Sequence, residues 1–516
     1  MKNTTIKISF YCLSVFGSNM LCTSCLDDID VYPVENNMTQ SFYANELEVN
    51  QAAVGIYARL GKNGSNDDFP TLYYWCASEN RSDILYIRTD ANAQRDQMDL
   101  RKYMISISTP MVSTIYSRLY AVIKEANNLL YFTKDKPAEY SRYRAEACFL
   151  RAYAYWELAR AFGPTALLTE PTENRIAIEQ PRTPTADIYK QVIADLTEAS
   201  NGLEDFYTGS DAGRVGRIAA QALLGQVYMT MAGYPNNDAS AYDKAESTLA
   251  AIITQVDTRW CTDYSNLFIL ENENKYDLFS IQFASGSASN VTGSSLPGYI
   301  SSGSASQTPF PDWVFDSYTQ QGQDMCVDTF LVTAMKADKD KRLLPSVDTG
   351  FYTGGRVGSA DRIWTDKTVV TKFLEKDPTN STIKAWNDFP RNFPILRPAD
   401  VYLLYAEALI QNNKAANALP YINKIRTRAG LPDLNGTPTL ADIKFERKRE
   451  FIGEGKRYFD LVRWGANEAI QVLTDFVLHY NAVYNSAVPT VRDLLLPIPQ
   501  NEMKTRTNWE NNFGYY

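Results

Sequence analysis

Apolar residues recur along much of this chain at the three-and-four spacing of an amphipathic helix. Glu46 to Leu60 carries the first such pattern. Tyr116, Leu119, Tyr120, Ile123 and Leu130 fall at i, i+3, i+4, i+7 and i+14, and Phe149, Ala152, Tyr153 and Trp156 repeat the pattern one segment later. This spacing predicts two helices paired across a short polar turn. A second pair is predicted from Tyr189, Val192, Ile193 and Leu196 on one helix and Ala220, Leu223, Leu224, Val227, Tyr228 and Met231 on the next, with Gly213 and Gly216 in the linker. Between about Trp260 and Phe393 the periodicity gives way to short β-like runs such as Leu278–Phe283, to loops rich in Gly, Ser and Asn, and to scattered aromatics. Helical spacing returns at Val401, Leu404, Tyr405, Ala408 and Leu409 and runs on into a charged helix around Phe445–Gly455.

The expected fold is mainly α. Tetratricopeptide-like helix pairs form a scaffold, without a strict period of about 34 residues, and carry a large loop-rich insertion containing short β-strands. In domain terms, helix pairs at 46–255 and 397–467 flank an irregular, ligand-side block at about 260–395, all within one domain spanning 46–516. A discontinuous array wrapped around an insertion fits this order better than two independent domains.

Composition adds an address. Lys2 and Lys7 are the only charges before Cys25, the run from Ile8 to Phe16 is mostly apolar, and small Thr23 and Ser24 precede the cysteine. This is the layout of an export signal, and its apolar run falls short of the roughly 20 residues that span a bilayer. A thiol at the cleavage point predicts a lipoprotein signal peptide over 1–24, acylation of Cys25 and an extended lipid-anchored tether over 25–45. Removing the leader takes the formal charge from −9 to −11, which argues against nucleic acid as a partner. The remaining cysteines, Cys76, Cys148, Cys261 and Cys326, make neither a metal spacing nor a dense disulfide framework.

One residue count limits the chemistry. The single histidine, His479, would have to serve any Ser-His-Asp, Cys-His or multi-histidine metal site, and it reads instead as a packed or surface residue. Within Phe445–Gly465, Glu446 with Arg449 and Glu454 with Arg457 stand three apart, so opposite charges are expected to share a helix face. Glu450 and Glu454 sit among Arg447, Lys448, Arg449 and Arg457, which would hold them ionised rather than ready for acid-base work. No catalytic residue, metal or organic cofactor is called for.

Five segments carry a resemblance: Ala145–Leu168, Arg397–Ile410, Ile422–Leu431, Phe445–Gly465 and Leu495–Met503. In this order, behind a lipoprotein leader, they resemble the SusD/RagB family of outer-membrane nutrient-binding lipoproteins. Two departures are a lysine at 456, where the family often has histidine, and a closing segment reading Glu510, Asn511, Asn512, Phe513, Gly514 and Tyr515. The resemblance implies a non-enzymatic, lipid-anchored protein on the exterior face of the outer membrane. It would capture oligosaccharides and deliver them to a partner TonB-dependent, SusC-like β-barrel transporter, with oligopeptide capture, as in the RagB branch, the alternative. Asp27, Asp28 and Asp30 resemble the acidic signal that sends such lipoproteins outside.

Ligand contacts are expected from rings that helical periodicity does not explain, because a flat ring suits the apolar face of a sugar while Asp, Asn and Arg read its hydroxyls. Two regions supply this combination. The first is Tyr74 and Trp75 followed by Arg81 and Asp83, in a loop that the resemblance places at the ligand surface. The second is the irregular block, with Tyr299, Trp313 and Trp364 among Gly/Ser loops.

Overall fold

The computed structural model describes residues 42–62, 68–87, 95–172, 174–285, 292–300, 325–348, 351–353, 363–365, 368–374, 387–480 and 486–516. Cys25, the leader and Trp313 lie outside the described residues. The helices of the scaffold are α1 (Glu46–Leu60), α2 (Pro110–Phe132), α3 (Ser141–Phe162), α4 (Thr185–Gly202), α5 (Arg217–Ala232), α6 (Ala241–Ala250), α7 (Thr329–Ala337), α8 (Pro398–Gln411), α9 (Ala415–Ala429), α10 (Leu440–Glu450), α11 (Arg457–Trp464) and α12 (Ala466–Tyr480).

Their buried faces are the stripes the sequence lays out. Helix α2 buries Ile115, Leu119, Val122, Ile123 and Ala126, and packs on α1 and α3. Helix α3 is buried nearly all round, from Ala145 to Phe162, because α2, α4 and the insertion all cover it. The α5–α6 crossing is tight: a Cβ at Gly225 would stand 2.4 Å from Leu249 Cδ2, so only glycine permits that approach. Helix α6 packs in turn on α8, which joins the N-terminal helix pairs to the C-terminal pair α8–α9 across the insertion. Residues Tyr43–Tyr516 form one compact unit.

Strands among the described residues are short and antiparallel, in two-stranded pairs. They are β1 (Leu85–Ile87), β2 (Phe279–Ile281), β3 (Met325–Val327), β4 (Val347–Asp348), β5 (Phe351–Thr353), β6 (Ile363–Thr365), β7 (Val369–Val370) and β8 (Phe393–Leu396). The β2–β8 pair closes the neck of the insertion, placing Phe279 opposite Leu396, and seats the Phe279 ring on Phe149 at 5.0 Å. The β1–β3 pair ties the early segment to the insertion, with Leu85 opposite Val327.

One expectation about helices needs correcting. The charged helix expected around Phe445–Gly455 stops short of Gly455. Helix α10 ends at Glu450, a turn through Gly453 and Gly455 follows, and α11 restarts at Arg457. The expected three-apart ion pairs do not form. Glu446 instead meets Arg342 at 2.8 Å and Arg426 at 2.7 Å, while Glu454 meets Arg397 and Lys372, each at 2.7 Å. Arg457 turns to Asp83. These charges are buried, so their partners come from distant chain segments rather than from the same helix face.

Candidate ligand surface

The early aromatic segment is a π-helical stretch, Pro70–Ser78, followed by a tight turn over Glu79–Arg81. Every residue of it is buried. The Tyr73 hydroxyl donates to Glu157 Oε2 at 2.6 Å, and the Tyr74 hydroxyl bonds Glu157 and the Tyr153 hydroxyl. Burial, with the Glu157 charge beside them, pushes both phenols well above the ordinary tyrosine range. Trp75 is 1% exposed. Gly455 sits where a Cβ would stand 2.6 Å from the Tyr74 carbonyl oxygen, at a positive φ of 68°, so the C-terminal turn is pressed directly against this segment.

Glu79, Arg81 and Asp83 clamp that contact. Glu79 accepts the Gly453 N–H at 2.7 Å and the Gly455 N–H at 3.0 Å. The Arg81 guanidinium donates to the Tyr458 hydroxyl at 2.8 Å and to the Asp493 carbonyl, and lies 4.3 Å over the Tyr458 ring. Asp83 accepts from Arg457 at 2.7 and 3.0 Å and from Lys448 at 2.8 Å. Burial would raise the Asp83 carboxyl, yet the Arg457 and Lys448 charges hold it well below the ordinary carboxylate range.

Burial pushes the Glu79 carboxyl from 4.5 up to about 8, against the pull of the two N–H donors and Lys372. Between those two values the folded state holds a proton that the unfolded chain has released, so this group makes stability fall as pH rises across that window. Glu79→Gln removes the titration. Urea unfolding midpoints measured at about pH 5 and about pH 8 are expected to differ less in the variant than in the wild-type protein. An unchanged difference would show that Glu79 does not titrate there.

The sequence-derived ligand residues are therefore placed as follows. Tyr74, Trp75, Arg81 and Asp83 come together, but as an internal brace rather than a loop surface. Tyr299 is buried in the short helix Leu296–Ile300. For these five the expected exposure is corrected: their ring faces and charged heads are taken up by protein partners. Trp364 lies on β6, opposite Tyr352 of β5.

The brace delivers β1 to the surface, and there a second set of rings gathers. The Tyr86 ring stacks on Tyr480 at 4.1 Å and 7°. Tyr480, the last residue of α12, donates its hydroxyl to Asp328 at 2.8 Å and accepts the Thr329 N–H at 3.2 Å. His479 stands edge-on to Tyr480 at 4.6 Å and faces Phe330 at 4.8 Å. Phe330 is 64% exposed at the start of α7, whose other apolar residues Leu331, Val332 and Met335 point inward. Lys448 reaches from Asp83 toward Asp328, at 2.8 and 3.8 Å. The result is an edge of four rings in which the buried Asp328 and the Tyr480 hydroxyl bind the elements together, while exposed Phe330 and His479 beside half-buried Tyr86 and Tyr480 offer ring surface suited to stacking a sugar ring. Sequence reasoning missed Tyr86, Phe330 and Tyr480. The available signal was Phe330, an apolar ring standing off the buried stripe of its own helix.

Two family models match the chain, one described as the SusD family over residues 345–515 and one described as starch-binding associating with outer membrane over residues 30–229. The chain belongs to the SusD/RagB family. Among relatives of this SusD-family protein, the starch-binding protein SusD of Bacteroides thetaiotaomicron is 25% identical, with 100% of each chain covered. A SusD homolog from Bacteroides thetaiotaomicron VPI-5482 shares the fold with a TM-score of 0.78 at 22% identity, covering 93% of this chain and 99% of that one. Surface glycan-binding protein A from Bacteroides thetaiotaomicron, solved with laminarihexaose, superposes with a TM-score of 0.74 at 20% identity, over 90% of this chain and 99% of that one.

Proposed function

We propose that this protein is lipid-anchored through Cys25 on the exterior of an outer membrane. There it captures oligosaccharides without cleaving them and passes them to a TonB-dependent, SusC-like transporter. The observation that carries this reading is the ring-lined edge formed by Tyr86, Tyr480, His479 and Phe330. It stands on a scaffold shared with a protein named for starch binding and with one solved bound to laminarihexaose. Trp313 and Trp364, both within the insertion segment of the sequence, are included in the proposal as further ligand contacts.

The Glu450–Glu454 pair is unsuited to acid catalysis. A glycosidase needs one carboxyl that carries a proton to give. Burial would raise the Glu450 and Glu454 carboxyls, but Arg428, Arg397 and Lys372 hold both down, that of Glu454 at about 2. Among the described residues no helix is long and apolar enough to cross a membrane.

A glycan array and a peptide-library pull-down, run on the same detergent-solubilised protein, test the ligand class. Retention of glycans with no peptide enrichment is expected. Peptide enrichment without a glycan signal would replace this reading with the RagB-like one.

A further inference from the structure

A second group of rings lies on elements that contribute nothing to the edge just described. Trp260, at the end of the segment after α6, meets Tyr402 of α8 at 5.3 Å. Tyr402 stacks on Tyr421 of α9 at 6.2 Å and 19°, and Tyr421 meets Tyr405 of α8 at 4.8 Å. Tyr402 is buried and forms the base, whereas Trp260, Tyr405 and Tyr421 are each half-buried. Trp260, Tyr405 and Tyr421 pack partly against the core, with the Arg428 guanidinium 4.0 Å over the Trp260 ring, and leave the rest of their surface exposed. The α8–α9 seam is already filled by buried Leu404, Ala408, Ala418, Ile422 and Ile425.

Polar groups frame the row at both ends. Asp257 accepts from Lys424 and from the Tyr402 hydroxyl, and Lys424 reaches the same hydroxyl at 3.1 Å while lying 4.6 Å over the Tyr402 ring. Burial would raise the Asp257 carboxyl, but these donors hold it below its ordinary value. At the other end, Glu246, whose charge acts on Tyr405, accepts from Lys414 at 2.8 and 2.9 Å and from Asn412 at 2.8 Å. Each of these lysines is matched by a carboxylate, so the row carries no charge surplus with which to hold an anionic or cationic polymer. Half-exposed rings between neutralised polar edges complement a neutral, polyhydroxylated chain.

We propose that Trp260, Tyr405 and Tyr421 form a second oligosaccharide-binding row on the outer face of the α8–α9 helix pair, separate from the Tyr86–Phe330 edge. The row rests on the glycan-capture reading. It would hold a stretch of the same polymer, or a neighbouring one, while the first surface engages another, and two weak sites on one body raise overall avidity without any new contact at either.

Hydroxyl-radical footprinting of the full chain in detergent, with maltoheptaose and with laminarihexaose as probes, tests this directly. With at least one probe, saturable protection is expected at Trp260, Tyr405 and Tyr421, persisting in a Phe330→Ala variant. In Tyr421→Leu, confirmed folded by its melting curve, the concentration that half-protects Trp260 is expected to rise roughly tenfold while protection of the Tyr86–Phe330 edge stays unchanged. Protection confined to the Tyr86–Phe330 edge would overturn the second row and leave glycan capture intact. Protection at neither place by either probe would remove both. Protection of the row by a protein partner but by neither glycan would show it to be a docking face instead.

Discussion

Replacing Arg397 by alanine is expected to cost about 3–5 kcal/mol of folding stability, read as a lowered urea midpoint. Arg397 is 1% exposed and donates to Glu454 at 2.7 and 2.9 Å and to Glu450 at 3.1 Å, so its removal strands part of two buried carboxylates. Glu450 would keep Arg428 and Arg342, and Glu454 would keep Lys372. Those cations cannot move into the gap, because each already has its own place in the network: Arg342, for one, is shared with Asp340 and Glu446. The exposed pair Lys190–Asp187 provides the contrast, with Lys190→Ala expected to cost no more than about 0.5 kcal/mol. Acid should narrow the gap between the two variants. Glu454 is held at about 2 against an ordinary 4.5, so its contribution is present above 4.5 and is lost as pH falls toward 2. Without Arg397 that acid limb is expected to flatten. A cost below about 1 kcal/mol would mean that the network relaxes freely around the missing charge.

Trp75→Ala is expected to lose about 3–5 kcal/mol through the cavity it leaves. Any loss of ligand binding should follow the unfolded fraction, because the ring faces protein on all sides. Phe330→Ala should behave in the opposite way. Its ring is 64% exposed, so the melting temperature should stay put while glycan affinity falls roughly tenfold. Measuring melting and binding on both variants separates a structural ring from a ligand-facing one. A folded Trp75→Ala that fails to bind would return that residue to the ligand surface.

These two tryptophan and phenylalanine positions also mark where sequence reasoning succeeds and where it stops. Helical spacing delivers α2, α4 and α5, whose buried stripes have a period that can be counted, and also α3 and α8, which are buried nearly all round but keep large apolar residues at that spacing. It does not deliver the Pro70–Ser78 segment, whose wider winding and burial on every side leave no stripe to count. Trp75 therefore looks unassigned in sequence although it is core. The charged stretch fails for a different reason. Glu446 and Arg449 stand at a spacing that suits a helix-face pair, yet the partner of Glu446 is Arg342, contributed by the insertion. Local spacing carries no trace of such a contact. For the ligand edge, Tyr86, Phe330, His479 and Tyr480 become neighbours only because β1 pairs with β3 and α12 ends beside α7, an arrangement of three segments far apart in sequence.

Capture without cleavage is tested most directly by equilibrating the full-length protein with a glycan retained on the array, then measuring both the bound amount and the mass distribution of the recovered glycan. Saturable binding with the glycan masses unchanged after prolonged incubation is the expected result. Shorter products that accumulate with time and vanish on substitution of a single Asp or Glu would contradict it, as would an array on which no glycan is retained.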